Sequence, residues 1–311
     1  MMAAQRSAKD ELVAELFPHV LNVVSAEADA LAGPLRAAAA SLGAAGEIRW
    51  LSPERAFDIP FMGEPGKVCA AARAAASGLA ADINPVATEQ RRKQLLIADM
   101  DSTIICCECL DELADMVGLK PQIAAITERA MKGEIAFEPA LRERVAHLKG
   151  LRLDALEQVM AERIRLNPGA KELVATMRKH GAHTLLVSGG FTFFTQRVAR
   201  QAGFEGQQAN VLLDDGQHLT GRVREPILGR AAKLTALEET VAARGLAMGE
   251  TLAVGDGAND LAMIERAGLG VAYHAKPVVA AAAGARIDHG DLKALLYLQG
   301  YRDDEIVSAY P

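Results

Sequence analysis

Two aspartates separated by one residue, Asp99 and Asp101, follow an apolar run that begins at Leu95. A buried strand that ends in two carboxylates needs compensation for their charge, because desolvating an unpaired ionised carboxylate costs on the order of several kcal/mol. A divalent cation supplies that compensation, and two hydroxyl side chains, Ser102 and Thr103, come next in the chain. The pattern predicts a phosphoryl-transfer nucleophile beside a metal ion.

Further polar residues follow other predicted elements downstream. They are Ser188, Gly189 and Gly190 after an apolar run, Lys233 inside a helix, and Asp256, Asn259 and Asp260 in a glycine-containing loop. Taken singly, each has an ordinary structural explanation, since Asp-x-Asp-x-Thr also suits a capped turn and a lone helical lysine is usually a solvated charge. Together they predict an active site assembled at one edge of an open sheet.

Attack by Asp99 on a phosphate monoester requires that the charge of the phosphate be neutralised. Mg²⁺ prefers hard oxygen ligands, and we expect Asp99, the Met100 carbonyl and Asp256 to supply them. Asp101 belongs to this metal site only through the backbone of the Met100–Asp101 loop. Attack would give an aspartyl-phosphate, which divides one difficult hydrolysis into two easier displacements.

Asp101 is expected to act as general acid for the departing alkoxide and then as general base for the water that opens the intermediate. This role requires a proton on Asp101 before the first step, so neighbouring carboxylates should raise its pKa.

The remaining polar residues are assigned to the phosphate and its neighbours. Ser188 and the Gly189-Gly190 backbone offer hydroxyl and amide donors to phosphate oxygens, and Lys233 offers a compact positive charge. Asn259 and Asp260 are expected to orient the phosphate, the metal-bound water or Lys233.

Composition excludes several other classes of function. The chain has 311 residues, a net charge of −6 and a pI near 5.7, which argues against a large nucleic-acid interface. No apolar run reaches the roughly 18 to 20 residues needed to cross a bilayer, and the polar start lacks a secretory signal. Four cysteines without metal-ligand spacing fit a reducing compartment. We therefore expect a cytoplasmic protein that binds a small molecule, not a membrane.

Residues 1–88 are predicted to form a small α+β domain with the order β-α-β-β-α-β, as in a ferredoxin-like sandwich. The expected elements are strands near 21–26 and 83–87, extended segments within 48–62, and helices at 30–42 and 67–78. The basic run Arg91-Arg92-Lys93 is interpreted as a solvated linker.

Residues 89–311 are predicted to form an α/β domain, a Rossmann-like parallel sheet with helices on both faces. Its expected strands are 95–99, 183–188, 251–255, 269–271 and 286–288. Residues 104–167 are too long for a simple crossover and predict a cap of four helices over the site. Residues 207–226 predict a β-hairpin, to which no chemistry is assigned.

In order and spacing, these motifs resemble those of the haloacid-dehalogenase-type phosphohydrolase superfamily over residues 95 to about 290. Within it the chain resembles the phosphoserine phosphatase family, through Asp99 to Thr103, Glu108, the Ala130–Gly133 segment and the Phe137–Val145 segment. The resemblance implies that Glu108 and Arg144 bind the substrate's amino and carboxylate groups, while Met131 and Phe137 shield the pocket. It also implies Mg²⁺-dependent hydrolysis of O-phospho-L-serine, the last step of L-serine biosynthesis.

Other functions remain open at this stage. The same residues fit a phosphotransferase, or a phosphatase for a related ester such as phosphohomoserine, whereas a dehalogenase would have no need of Asp101. The first domain distantly resembles the amino-acid-binding ACT modules attached to some phosphoserine phosphatases. That likeness suggests a regulatory amino-acid sensor or a dimerisation domain, and hence a homodimer.

Overall fold

Two large β-sheets, one antiparallel and one parallel, organise the described part of the chain, and a two-stranded hairpin forms a third. The computed structural model describes residues 16–131, 134–229 and 231–308, with the side chain of Met131 left out. The antiparallel sheet has the order β2-β3-β1-β4, with two helices between its strands. Its elements are β1 His19–Val24, α1 Ala28–Ala40, β2 Arg49–Ser52, β3 Ala56–Phe61, α2 Pro65–Ala75 and β4 Asp82–Ala87. The predicted β-α-β-β-α-β order is confirmed.

The parallel sheet has six strands in the order β12-β11-β10-β5-β6-β7. Its strands are β5 Leu95–Ala98, β6 His183–Phe191, β7 Gly206–Asn210, β10 Thr251–Gly255, β11 Leu269–Tyr273 and β12 Ala285–Ile287. The helices of this part are α7 Ala170–Lys179, α8 Thr192–Ala202, α9 Ala232–Arg244, α10 Leu261–Arg266, α11 Pro277–Ala282 and α12 Ala294–Leu298. The order of connection reverses between β5 and β10, so the crevice at their carboxyl ends is where a ligand is expected.

Alternating side chains of the central strand β5 reach opposite faces of this sheet. Leu95 and Ile97 pack with Ala236 and Leu237 of α9. Leu96 and Ala98 join the larger core on the other face, which includes residues of α7 and α8. Burial on both faces explains why the strand is apolar throughout, and it confirms the predicted α/β class.

One strand of the parallel sheet lies where the sequence did not predict it. Residues Gly206 to Asn210 form β7, paired in parallel with β6, instead of opening the predicted hairpin. This strand is at the edge of the sheet and three of its five residues are only partly buried, so its polar composition hid it. The hairpin itself follows as β8 Leu212–Asp214 and β9 Leu219–Val223.

Within the described ranges, four helices precede α7 between the first two strands of the parallel sheet, as predicted for the cap. They are α3 Cys109–Met116, α4 Lys120–Met131, α5 Phe137–Ala146 and α6 Leu153–Glu162. The hairpin is bound to them, because the Leu219 N–H donates to the Leu151 carbonyl and the Leu219 carbonyl accepts from Gly150, each at 2.8 Å. Among the described residues, no helix combines the length and apolar character that a membrane crossing requires.

The antiparallel sheet is packed against the parallel one instead of being joined only by a linker. Its Val20 belongs to the core of the larger part, and Tyr297 of α12 packs on Leu51. At the sheet edge, the Asn84 side chain accepts from the Arg286 N–H at 2.9 Å and donates to the Arg286 carbonyl at 2.8 Å. Where the boundary between the two domains lies stays a prediction.

The interpretation of Arg91-Arg92-Lys93 as a solvated linker is wrong. Arg91 binds both carboxylate oxygens of Asp58 in the antiparallel sheet, at 2.6 and 2.8 Å. Arg92 binds Glu305, and the Lys93 ammonium donates to the Gly249 carbonyl at 2.7 Å. Asp58 is buried, and Glu305 and Gly249 are half-buried, so these cations compensate acceptors within the fold that sequence adjacency could not reveal.

Candidate active site

Asp99 lies at the carboxyl end of β5 and is 5% exposed. The Lys233 ammonium lies 2.6 Å from Asp99 Oδ1 and 2.5 Å from Asp260 Oδ1, so it bridges the two carboxylates. Burial by itself would lower the pKa of Lys233, but these two carboxylates raise it above its ordinary value. Lys233 is therefore a permanent cation beside the predicted nucleophile, and helix α9 places it there in its first turn.

A third carboxylate, Asp256, joins this group. Ligand oxygens of Asp99, Asp256 and Asp260 all lie within 4.8 Å of one another. Burial raises the pKa of Asp99 well above its usual value, and Asp260 adds to the rise; burial followed by Asp260 also raises the pKa of Asp256. One lysine cannot neutralise three clustered carboxylates, so this donor set fits a hard divalent cation.

The backbone after Asp99 makes a wide turn over Met100–Ile104. The Met100 carbonyl, predicted to bind the metal, accepts the Ile105 N–H at 3.0 Å and so closes this turn. Ser102 adopts a left-handed φ of 55°, which is rare for residues other than glycine. The turn thereby brings the Asp101 side chain back towards Ser188 instead of letting the strand continue.

Asp101 is held by donors from two elements. Its Oδ1 accepts the Cys109 N–H at 2.8 Å, and its Oδ2 accepts the Ser188 hydroxyl at 3.0 Å. Burial raises its pKa against the opposing effect of these donors. The direction agrees with the predicted general acid, although burial, not the neighbouring carboxylates, is the leading cause.

The segment Ser188-Gly189-Gly190 forms the end of β6 beside Asp101. The Gly190 N–H donates to the Ser188 hydroxyl at 2.8 Å. A Cβ on Gly190 would lie 3.0 Å from Ser188 Oγ and 3.3 Å from Asp101 Oδ2, so a side chain there would be tight and these neighbours would have to shift. Glycine at position 190 therefore eases the close approach of backbone and acid.

The cap reaches this segment through Phe137. A Cβ on Gly189 would lie 3.2 Å from Phe137 Cζ, so the ring covers the glycine backbone. Arg144 follows seven residues later on the same helix, α5, and therefore lies on the same face. Burial lowers the pKa of Arg144, while the charges of Asp111 and Glu108 oppose that shift.

Glu108 precedes helix α3 and accepts a hydrogen bond from the Ser102 hydroxyl at 2.8 Å. Glu108 is exposed to solvent, yet desolvation by the surrounding protein, followed by repulsion from Asp101, raises its pKa to about 7. Glu108 and Arg144 thus place opposite charges at the cap side of the site. Such a pair suits a substrate that carries both an ammonium and a carboxylate group.

The other predicted residues have the following positions. Asp260 accepts the Gly257 N–H at 3.0 Å, and Asn259 Oδ1 lies against Gly257, where an added Cβ would be 2.5 Å away. The side chain of Met131 lies outside the described part of the chain, so its shielding role stays a prediction.

One residue that the sequence did not single out adjoins the Ser188-Gly189-Gly190 segment, which is predicted to bind phosphate. Asn210 ends the unpredicted strand β7, is 2% exposed, and donates to the Gly189 carbonyl at 2.9 Å. A polar residue at the end of a parallel strand indicates a place at the active-site edge of the sheet. That indication could be used only if β7 had first been predicted as a strand.

Comparison with known proteins identifies relatives of this arrangement. The family model described as haloacid dehalogenase-like hydrolase matches residues 96–265. A protein named phosphoserine phosphatase from Albidiferax ferrireducens is 49% identical over 210 residues, covering 66% of this chain and 89% of that protein.

Solved structures are similar as well. The unliganded probable phosphoserine phosphatase from Vibrio cholerae is 30% identical with a TM-score of 0.76, covering 91% of this chain and 86% of that one. A structure described as a phospho-aspartyl intermediate analogue of phosphoserine phosphatase is 36% identical with a TM-score of 0.60, covering 66% of this chain and 98% of that one. The match to the Vibrio cholerae structure extends over nearly the whole chain and includes the N-terminal sheet.

Proposed function

Since the chain belongs to the haloacid dehalogenase-like hydrolase family, we propose that it hydrolyses O-phospho-L-serine to L-serine and phosphate. The observation that supports the proposal most strongly is that a group of phosphoryl-transfer residues and a pair of oppositely charged cap residues occur in the same site. The Asp99–Lys233–Asp260 ion pairs provide phosphoryl-transfer groups, and Glu108 and Arg144 provide opposite charges on the cap. The names of the relatives support the same substrate.

The first step is attack of an Asp99 carboxylate oxygen on phosphorus. A bond forms between the Asp99 oxygen and phosphorus while the bond between phosphorus and the serine oxygen breaks. Asp101 transfers its proton to the serine oxygen, so that L-serine leaves with a neutral hydroxyl group. Lys233 stays within ion-pair distance of Asp99 and offsets the charge of the phosphate. The Ser188 hydroxyl, which donates to Asp101, and the Gly190 N–H, which donates to Ser188 Oγ, are the neutral donors that can turn to the phosphate when it binds.

The second step hydrolyses the resulting aspartyl-phosphate. Asp101, now a carboxylate, accepts a proton from the attacking water, the water oxygen bonds to phosphorus, and the bond to Asp99 breaks. Serine must leave before this step so that water can enter the site. The cap is therefore expected to open between the two steps.

Mg²⁺ fits the carboxylates of Asp99 and Asp256, with Asp260 holding Lys233 beside them. When bound, it would neutralise phosphate charge and permit the approach of the anionic nucleophile. A ligand role for the Met100–Asp101 backbone, a homodimer, a cytoplasmic location and a regulatory role for the N-terminal domain all stay predictions.

Phosphate release from a panel of esters tests the proposal. Phosphoserine, phosphohomoserine, phosphothreonine, a sugar phosphate and p-nitrophenyl phosphate would be assayed with Mg²⁺ and with EDTA. For Arg144→Ala we expect kcat/KM to fall about 10²-fold or more on phosphoserine, because truncating one member of a desolvated charge pair costs about 2–5 kcal/mol. Activity on p-nitrophenyl phosphate, which has no carboxylate, should change by less than about threefold, as estimated for a lost contact that this ester never makes.

Arg129→Ala is the matched control, since Arg129 is an exposed cap arginine that pairs with Glu143. It should leave both substrates unaffected. A wild-type preference for phosphohomoserine would keep the chemistry and reject the substrate. An Arg144→Ala variant that loses both esters equally would reject the carboxylate-binding role.

The pKa of Glu108, about 7, predicts a pH-dependent substrate preference. Below that pH Glu108 is protonated and neutral, so its attraction for the substrate's ammonium is lost; above it the carboxylate is ionised. We compare kcat/KM for phosphoserine with kcat/KM for p-nitrophenyl phosphate. Below about pH 7 we expect the ratio of the two to fall with decreasing pH, at a rate that approaches tenfold per pH unit. Taking the ratio cancels the titration of groups that both esters use.

Glu108→Gln provides the control for this profile. It should give a low ratio that no longer falls as the pH drops below about 7, because the amide does not titrate. A wild-type ratio that stays constant between about pH 6 and 8 would reject the role of Glu108 in ammonium binding.

A further inference from the structure

Asn210 joins two segments of the proposed active site through one buried amide. Its Nδ2 donates to the Gly189 carbonyl at 2.9 Å and to the Leu228 carbonyl at 3.3 Å. Its Oδ1 accepts the Leu228 N–H at 2.7 Å. All three contacts are to backbone, so the side chain fixes the course of the end of β6 and of the loop at Leu228, and not the position of a neighbouring side chain.

The contact with Gly189 has a direct consequence for the next residue. The Gly189 carbonyl and the Gly190 N–H belong to one planar trans peptide unit, in which the two groups point in opposite directions. With the carbonyl held by Asn210 on one side, the N–H is turned to the other side, where it donates to Ser188 Oγ at 2.8 Å. Ser188 Oγ is in turn 3.0 Å from Asp101.

This peptide needs an external constraint because both of its residues are glycines. Glycine rotates more freely about φ and ψ than any other residue, and a Cβ on Gly190 would be tight against Ser188 Oγ. A hydrogen bond from the neighbouring strand holds the carbonyl in place. Asn210 supplies it from β7, which is paired with β6.

The contact with Leu228 extends the same constraint towards the catalytic lysine. Leu228 lies five residues before Lys233. Between them the Gly229 carbonyl accepts the Ala232 N–H at 3.0 Å, at the start of helix α9. One amide therefore holds both the phosphate-binding backbone and the segment that leads to the cation.

We propose that Asn210 is a positioning residue for phosphoryl transfer, which keeps the Gly190 N–H on the side of Ser188 and Asp101, where the phosphate is expected to bind, and anchors the approach to Lys233. The inference rests on the proposed function and adds a residue outside the motifs on which that function stands. Because it acts on the phosphate and not on the serine part, its removal should affect every phosphate ester alike.

Asn210→Asp tests this, since the carboxylate keeps the acceptor for the Leu228 N–H but cannot donate to the Gly189 carbonyl. Losing an oxyanion donor outright costs about 10²–10³ in kcat, so a donor that is only misdirected should cost about 10–10². We expect that fall in kcat on both phosphoserine and p-nitrophenyl phosphate, with KM for phosphoserine within about threefold of wild type, since binding through the cap is unchanged. Inhibition by orthovanadate, which mimics the transition state, should weaken by a similar factor as kcat.

Asn84→Asp is the matched control. Asn84 is also a buried strand asparagine, 1% exposed, that bridges a backbone N–H and carbonyl, but it lies at the junction of the two sheets. It should lower thermal stability without changing kcat. Asn210→Ser provides a second variant that adds no charge and should reproduce the fall in kcat.

Several outcomes would overturn the inference. They are wild-type kcat in either folded Asn210 variant, an equal loss of kcat in Asn84→Asp, a selective rise of KM for phosphoserine, and a failure of both Asn210 variants to fold while Asn84→Asp folds. An inactive wild type would instead reject the proposed function, so the two failures are distinguishable.

Discussion

Replacing Asp99 by asparagine is expected to lower kcat on phosphoserine by about 10⁴-fold or more, since the variant lacks the atom that attacks phosphorus. The shape of the side chain is retained, and the Met100 N–H that donates to Asp99 Oδ1 at 2.7 Å keeps an acceptor. Lys233 keeps its second partner, Asp260. The loss should therefore appear in turnover and not in folding.

Two measurements separate this result from a general loss of structure. Acid-quenched wild type incubated with phosphoserine should carry one phosphoryl group by intact mass, and Asp99→Asn should carry none. Calorimetry should still detect phosphoserine binding to the variant, because Glu108 and Arg144 are unchanged. Asp214→Asn, at the exposed end of strand β8, is the control for removing an aspartate elsewhere. Turnover of Asp99→Asn within tenfold of wild type, taken as about 1.4 kcal/mol, would reject it as the nucleophile.

The carboxyl ends of the strands were the predictable part of the site. Asp99, Ser188 and Asp256 each follow an apolar run, and parallel strands bring such ends to one edge whatever their separation in the sequence. Lys233 was different, because a lysine in a helix carries no local sign of burial. Its place followed from the family resemblance, and the 2.6 Å contact with Asp99 supplies the physical reason for it.

The features that escaped prediction depend on partners distant in the sequence. Arg91 lies in a basic run that is typical of a linker. Its ion pair with Asp58, 33 residues away, is visible only in the structure. Asn210 had no visible role because its polar strand shows no alternation of apolar residues, and its partners Gly189 and Leu228 lie 21 and 18 residues away. The left-handed conformation of Ser102 was also not predicted, because no glycine marks the turn after Asp99. Contacts of Asp101 and Glu108 impose this turn instead.

Asp101→Asn should separate the two chemical steps. The asparagine can accept the Cys109 N–H and stay within reach of Ser188, so the turn is expected to persist. On phosphoserine, whose alkoxide leaves poorly without a proton, we expect kcat to fall by about 10²–10⁴ through the loss of general acid–base catalysis. No fast release of serine should precede the steady state, because the first step is already slow.

With p-nitrophenyl phosphate the same variant should behave differently. The nitrophenolate departs without protonation, so formation of the aspartyl-phosphate should remain fast, whereas its hydrolysis still lacks the base. Stopped-flow absorbance should then show a burst of nitrophenolate equal to the enzyme concentration, followed by slow turnover. Ser188→Ala should give no burst, because it removes a phosphate donor that both steps use. If Asp101→Asn also lacked the burst and lost both esters equally, Asp101 would be holding the turn in place and not transferring the proton.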